Sequence, residues 1–349
     1  MRFSLEPSDE ELIYFGFGSR ALYQPGFDRG AVDRLSLAAV PVQANEILAN
    51  IHDQQQDEQQ PSLFLYGSAE QELIEGGSGS DWVFYTDSDA GIVADLSTFA
   101  PASGGYAEGD IFVSIENIVG SAFADTLIGN DADNIIRGDG GDDILLGGVG
   151  ADAIDGGTGL DMASYVNSQS GVSVHLSIAR GYGGDAEGDS LSAIEQIQGS
   201  DFDDHLSGDA ADNMLFGMEG DDILIGRGGN DILSGAGGAD IFLFNSGFGQ
   251  DVIEDFELGI DLMVFSDATS MESFIFEQDG DDTIIRFAGG EDFVRLAGVD
   301  MAALSEADFL FFDPVALVSI QSGGQSGGFD IDPSPEAGYT ALDSVFSFI

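Results

Sequence analysis

The chain has 349 residues, 64 of them acidic and only nine basic, for a formal net charge of −55; every basic residue is an arginine. That balance excludes nucleic acid as a partner and disfavours anionic membrane surfaces, since phosphate contacts depend on clustered Lys and Arg. Hydrophobic residues make up 43%, Phe alone contributes 26, and cysteine is absent, so the chain is neither a disordered acidic tail nor a disulfide or thiolate framework.

The N-terminal segment, 1–66, opens "MRFSLEPSDEELIYFGFG" and lacks the basic-then-apolar pattern of a cleaved signal peptide. Ile47, Leu48 and Ile51 predict a short amphipathic helix that fades into the polar linker "HDQQQDEQQ". Export by a route without an N-terminal signal is the expectation. No apolar run of about 18 residues occurs anywhere, so no transmembrane helix is expected.

From residue 67 the chain becomes periodic. "GSAEQELIE" and "GGSGSDWVF" are partial nine-residue units, the first with Glu72 and the second with Asp81 in the acidic place. Strand-like alternation follows in "GIVADLS" from Gly91. A first block then carries Asp125, Asn134, Asp143, Asp152 and Asp161 at intervals of nine. Leu127, Ile136, Leu145, Ile154 and Ala163 stand two residues after them. "GVSVHLS" from Gly171 repeats the strand-like stretch. A second block has Asp204, Asn213, Asp222, Asp231 and Asp240, followed by Leu206, Leu215, Leu224, Leu233 and Phe242. A longer period overlies the short one: "GGYAEGDIFVSIENIVGSAFADTL" (104–127) matches "GGDAEGDSLSAIEQIQGSDFDDHL" (183–206). The middle of the chain therefore reads as two tandem modules, 67–155 and 156–243.

Beyond them, 248–265 and 281–299 alternate apolar and polar residues between glycine turns and predict strands of a β cap, 244–312. "MAALSEADFLFF" (301–312) begins with a helical turn or two. The tail, 313–349, is Gly/Ser/Pro-rich and then apolar, with Asp343 before Val345, Phe346, Phe348 and Ile349.

A nine-residue unit suits one tight glycine turn and one short strand with a single inward aliphatic. Two such units make a coil, and stacked coils set residues 18 apart side by side: Asp125 by Asp143, Asn134 by Asp152, Asp143 by Asp161. One aliphatic per unit cannot offset the ordering of nine backbones, and stacked carboxylates oppose it further. A ligand that binds only the folded form is required. Oxygen donors in flexible glycine turns suit a hard cation with six or more ligands, Ca²⁺ ahead of Mg²⁺ or zinc.

The units "GGVGADAID" and "GGTGLDMAS", with Gly147, Gly148, Gly150, Asp152 and Gly156, Gly157, Gly159, Asp161, resemble the GGxGxDxUx nonapeptide of RTX, or hemolysin-type calcium-binding, proteins. The resemblance covers 67–243 and implies an all-β fold, a parallel β-roll with Ca²⁺ between its turns, preceded by the small, partly helical N-terminal segment. It implies Asp81, Asp125, Asn134, Asp143, Asp152, Asp161, Asp204, Asn213, Asp222, Asp231 and Asp240 as metal ligands. Departures fall at neutral Asn134 and Asn213, at the longer Glu72, and at the places equivalent to Gly148, held by Asp139, Asp209, Met218, Arg227 and Ala236. The region after the repeats is similar to that of secreted RTX proteins, including the C-terminal domain of serralysins, and the tail is similar to type I secretion signals.

Enzyme signals are weak. The only histidines are His52, His175 and His205, there is no HExxH, and "GQSGG" (324–328) is followed by no histidine. His175 and His205 read as surface residues of the roll; Arg137, Arg227, Arg286 and Arg295 read as relief of local negative charge. The expectation is a secreted, extracellular, non-catalytic calcium-binding protein, with calcium ions, the type I secretion apparatus and an extracellular polysaccharide or cell surface as partners, and adhesion or matrix as its setting. The competing reading is an RTX-associated hydrolase or epimerase whose catalytic residues are not recognisable.

Overall fold

A computed structural model describes residues 61–311, apart from 267, 269, 288 and 289. The expected N-terminal helix and the tail from 313 lie outside the described residues. Within them the protein is almost wholly β: thirteen strands form one sheet, eleven form a second, and a pair, Leu73–Glu75 with Ile111–Val113, stands beside them. Most strands are three residues long, many with only the central side chain turned inward, as in Thr126–Ile128 and Ser173–His175. That is the geometry one aliphatic per nonapeptide dictates.

The 18-residue stacking is borne out by the strand register. Ile118, Ile136 and Ile154 pair in parallel in the 13-stranded sheet, and Leu127, Leu145 and Ala163 in the 11-stranded one. In the second block Leu206, Leu224 and Phe242 form one column, and Ile197, Leu215 and Leu233 the other. These side chains are buried and belong to a single core that runs the length of the described chain. Alternate units feed alternate sheets, so the chain is a parallel β-roll.

Duplicated residues exchange sheets. Thr126–Ile128 lies in the 11-stranded sheet and its counterpart His205–Ser207 in the 13-stranded one. The same exchange separates Val93–Asp95 from Ser173–His175. Twice the coil is also interrupted by an excursion. Val83 pairs with Ile118 and Ala94 with Leu127 in the first copy; Ala163 pairs with Ile197 and Val174 with Leu206 in the second. Each excursion contains a one-turn 3₁₀ helix, Gly105–Ala107 or Gly184–Ala186.

The coil continues past residue 244: Leu233 pairs with Ile253 and Phe242 with Met263. It then closes on an antiparallel meander of Phe274–Asp279, Asp282–Phe287 and Phe293–Leu296, while Phe309–Phe311 completes the other sheet. Phenylalanines replace the aliphatic columns here, with Phe265 and Phe274 4.6 Å apart by ring centroid and Phe274 and Phe287 4.7 Å apart. The helical turns expected near 301 are two 3₁₀ turns, Met301–Ala303 and Glu306–Asp308, capped by Asp300 and Ser305.

Candidate calcium sites

The turns between strands bring the repeat aspartates into ladders. The backbone N–H of Asp125 donates to Asp143 Oδ1 at 2.8 Å, and that of Asp143 to Asp161 Oδ1 at 2.9 Å. Asn134 donates to Asp152 Oδ1, Asp204 to Asp222 Oδ1, Asp222 to Asp240 Oδ1, and Asn213 to Asp231 Oδ1, all between 2.8 and 2.9 Å. Each carboxylate thus spends one oxygen on the coil that precedes it. The other oxygen is the informative one.

Among the described residues, Oδ2 of Asp81, Asp143, Asp152, Asp161, Asp222, Asp231 and Asp251 is buried and accepts no hydrogen bond. A buried carboxylate oxygen without a donor is costly unless a cation faces it. The first glycine of each unit makes room for one. A Cβ at Gly138 would collide with Asp143 Oδ2 and with the carbonyl oxygen of Gly156 on the next coil. At Gly217 it would meet Asp222 Oδ2 and the Gly235 carbonyl. At Gly156 it would meet Asp161 Oδ2 and the carbonyl of Ala193. Carboxylate and carbonyl oxygens therefore converge where the side chain is missing. No three carboxylates or imidazoles gather at one point among the described residues; single carboxylates and backbone carbonyls are the donor set, which fits a hard, oxygen-seeking cation.

Electrostatics agree. Burial pushes Asp143, Asp152 and Asp231 up to about 7, and Asp222 and Asp251 up to about 8, while the N–H bonds to Oδ1 pull them part of the way back. Burial raises Asp240 to about 6 and raises Asp161 as well. Near neutrality such groups hold a proton or exchange it for a cation.

The structure sorts the eleven residues expected from the repeat. Asp81, Asp143, Asp152, Asp161, Asp222 and Asp231 present the bare oxygen. Asp240 stands in the same ladder below Asp222 and beside its own cradle glycine, Gly235. Asp125 and Asp204, at the start of the two blocks, have both oxygens engaged: Ser121 and Ser200 donate backbone N–H groups to Oδ2 and hydroxyls to Oδ1. Asn134 Oδ1 accepts from the N–H of Asn130, and Asn213 Oδ1 from that of Asp209. The four ladder-starting residues are thus tied to the protein itself.

Six further acids occupy ladder places that nonapeptide counting passed over. Glu116 and Glu195 accept the N–H groups of Asp81 and Asp161, Asp110 and Asp189 those of Glu72 and Asp152, and Asp251 and Asp261 those of Asp231 and Asp240. A signal existed: Asp251-x-Ile253 and Asp261-x-Met263 repeat the acid-then-aliphatic spacing, and the other four sit in the stretch duplicated at 104–127 and 183–206.

The histidines differ from a plain surface reading. His175 and His205 lie 5.0 Å apart by ring centroid, edge to face, but His205 Nε2 is buried, and burial lowers that ring to about 4, leaving it neutral.

The model of the RTX calcium-binding nonapeptide repeat (4 copies) matches residues 114–145, 128–163, 191–224, 207–242 and 216–253. The repeats are RTX calcium-binding nonapeptides. Such repeats bind Ca²⁺. No curated protein matches the chain. Among solved structures, the extracellular lipase LipA from Serratia marcescens is similar at 24% identity over 54% of this chain, with a TM-score of 0.25. The chain spans 40% of the length of that lipase. The AlgE6R3 subunit from the Azotobacter vinelandii mannuronan C5-epimerase is similar at 28% identity, covering 38% of this chain and 92% of the subunit, with a TM-score of 0.23. No helix among the described residues is long and apolar enough to cross a membrane.

Proposed function

We propose that this RTX roll is a calcium-gated fold that works outside the cell and carries no catalysis of its own. The observation that supports the reading is the file of buried, donor-less Oδ2 atoms at Asp81, Asp143, Asp152, Asp161, Asp222, Asp231 and Asp251. In the calcium-poor cytosol these oxygens lack their counter-charge and the unfolded, exportable chain prevails. In extracellular calcium the ions bind the folded form alone and pull the equilibrium over. The modules 67–155 and 156–243 are, on this reading, two such gates in series, and Asp240 joins the ligands with the carbonyls of the next coil. The target, a polysaccharide or cell surface reached in adhesion or matrix, follows from the acidity that calcium would bridge.

The test is a calcium titration of the purified chain read by far-ultraviolet circular dichroism, with magnesium in parallel. A cooperative coil-to-β transition driven by calcium and not by magnesium is expected. A chain equally folded in chelator would make the aspartates solvation and end the gating proposal.

A further inference from the structure

Asp110 and Asp189 stand in the ladders but lack the bare oxygen of the calcium positions. Asp110 Oδ1 accepts the N–H of Glu72 at 2.8 Å and Asp189 Oδ1 that of Asp152 at 2.8 Å, as the repeat aspartates do. Their second oxygens, however, are taken. Tyr85 donates its hydroxyl to Asp110 Oδ2 at 2.7 Å, and Tyr165 donates to Asp189 Oδ2 at 3.0 Å. All four side chains are buried: Tyr85 and Tyr165 are 1% and 2% exposed, and both aspartates 0%.

The glycine cradle is missing as well. Five residues before Asp143 stands Gly138, whose absent side chain opens onto the carboxylate. Five residues before Asp110 and Asp189 stand Gly105 and Gly184, where a Cβ would meet Ser88 Oγ and the Ala90 carbonyl, or Ser168 Oγ and the Ser170 carbonyl. The same serines tie the excursion in both copies: the N–H groups of Tyr106 and Asp185 donate to Ser88 and Ser168, whose hydroxyls donate to Ala90 and Ser170. The arrangement thus occurs twice, in segments whose exposed residues have diverged.

We infer that Tyr85–Asp110 and Tyr165–Asp189 are protein-only rungs, in which a tyrosine hydroxyl fills the place a calcium ion takes elsewhere in the ladder. Each rung lies where the chain leaves the 18-residue coil and rejoins it, so the two excursions are locked without metal. The bound calcium is thereby confined to the regular coils on either side. The inference rests on the calcium reading above.

The experiment is direct calcium counting by equilibrium dialysis on the full chain, paired with thermal melts in saturating calcium, for wild type, Tyr165→Phe, Tyr85→Phe, Asp189→Asn and, as reference, Asp152→Asn. Both tyrosine variants and Asp189→Asn are expected to keep the wild-type number of ions and to melt roughly 5 °C earlier, the scale of one lost buried hydrogen bond in a domain of this size. Asp152→Asn is expected to bind fewer ions. Loss of calcium in Tyr165→Phe, Tyr85→Phe or Asp189→Asn would overturn the assignment, because it would make the pair part of a metal site. A wild-type chain that binds no calcium sinks the calcium reading itself, and the rungs lose their contrast with it.

Discussion

The second glycine of the repeat is a demand on the backbone, and four residues here meet it without being glycine. Gly148 and Gly157 have φ of 91° and 103°, while Asp139, Met218, Arg227 and Ala236 hold the equivalent place at 76°, 87°, 77° and 63°. A Cβ makes that region unfavourable by about 1–2 kcal/mol. Some of this is returned because glycine orders a freer unfolded chain. Met218, at the largest of these angles, with Gln198 Nε2 3.5 Å from its sulfur, is the clearest case. Met218→Gly should therefore stabilise the calcium-loaded roll by about 1 kcal/mol, visible as a later thermal midpoint; an unchanged or earlier midpoint would show that the turn is not under strain. The reverse change at Gly148 brings a Cβ to 2.9 Å from the Asn130 carbonyl oxygen and should destabilise.

At the level of the coil, the ladder has ends and a middle, and they differ in which carboxylate oxygens the protein itself satisfies. Asp143 sits between Asp125 and Asp161: its Oδ1 accepts the N–H of Asp125, its own N–H donates to Asp161 Oδ1, and its Oδ2 is bare. Asp125 has Ser121 on both oxygens and the N–H of Ile92 on Oδ1. Asp143→Ala should raise the calcium midpoint of folding more than Asp125→Ala, which should mainly loosen the Ser121 turn. Equal midpoints in the two variants would mean that the ladder does not distinguish an interior carboxylate from a terminal one. That contrast was half legible in the sequence. The nine-residue spacing of Asp125 through Asp161 fixes which residues stack, because a constant period has one register. It does not show that Ser121 already serves Asp125, since a Ser-x-x-x-Asp spacing looks like any turn. Nor does it reach Glu116, Glu195, Asp110 or Asp189, because the excursions break the period and only hydrogen bonding across them restores the ladder. The Phe-rich end was legible as alternating strands near 248–265 and 281–299, but the continuation of the coil through Ile253 and Met263 showed only in the acid-x-aliphatic spacing of Asp251 and Asp261. Its register steps of 20 and 21 residues dissolve the nonapeptide rhythm.

Over the whole molecule the same ladders tie calcium to pH. A charge of −55 opposes compaction wherever carboxylates stay ionised. The calcium-free roll limits that cost by holding protons: Asp143, Asp152 and Asp231 at about 7 and Asp222 and Asp251 at about 8, against an unfolded value near 3.9. Because the folded pKa lies above the unfolded one, the folded chain binds more protons between the two. Stability from these groups is then fully present below about pH 4 and is lost as pH rises through 7 to 8. Calcium reverses the dependence, since it takes the carboxylates ionised: its binding should release protons, and its affinity should rise with pH over the same window. Each ion at ten times its Kd adds about 1.4 kcal/mol to the folded form, so several together reach the size of a domain's net stability of about 5–15 kcal/mol. In chelator the chain should therefore gain β structure as pH is lowered from 8 toward 5, and calcium added at pH 6 in weak buffer should acidify the solution. A chelated chain that is most ordered at pH 8, or calcium uptake without proton release, would show that the buried Oδ2 atoms are ionised with some other counter-charge.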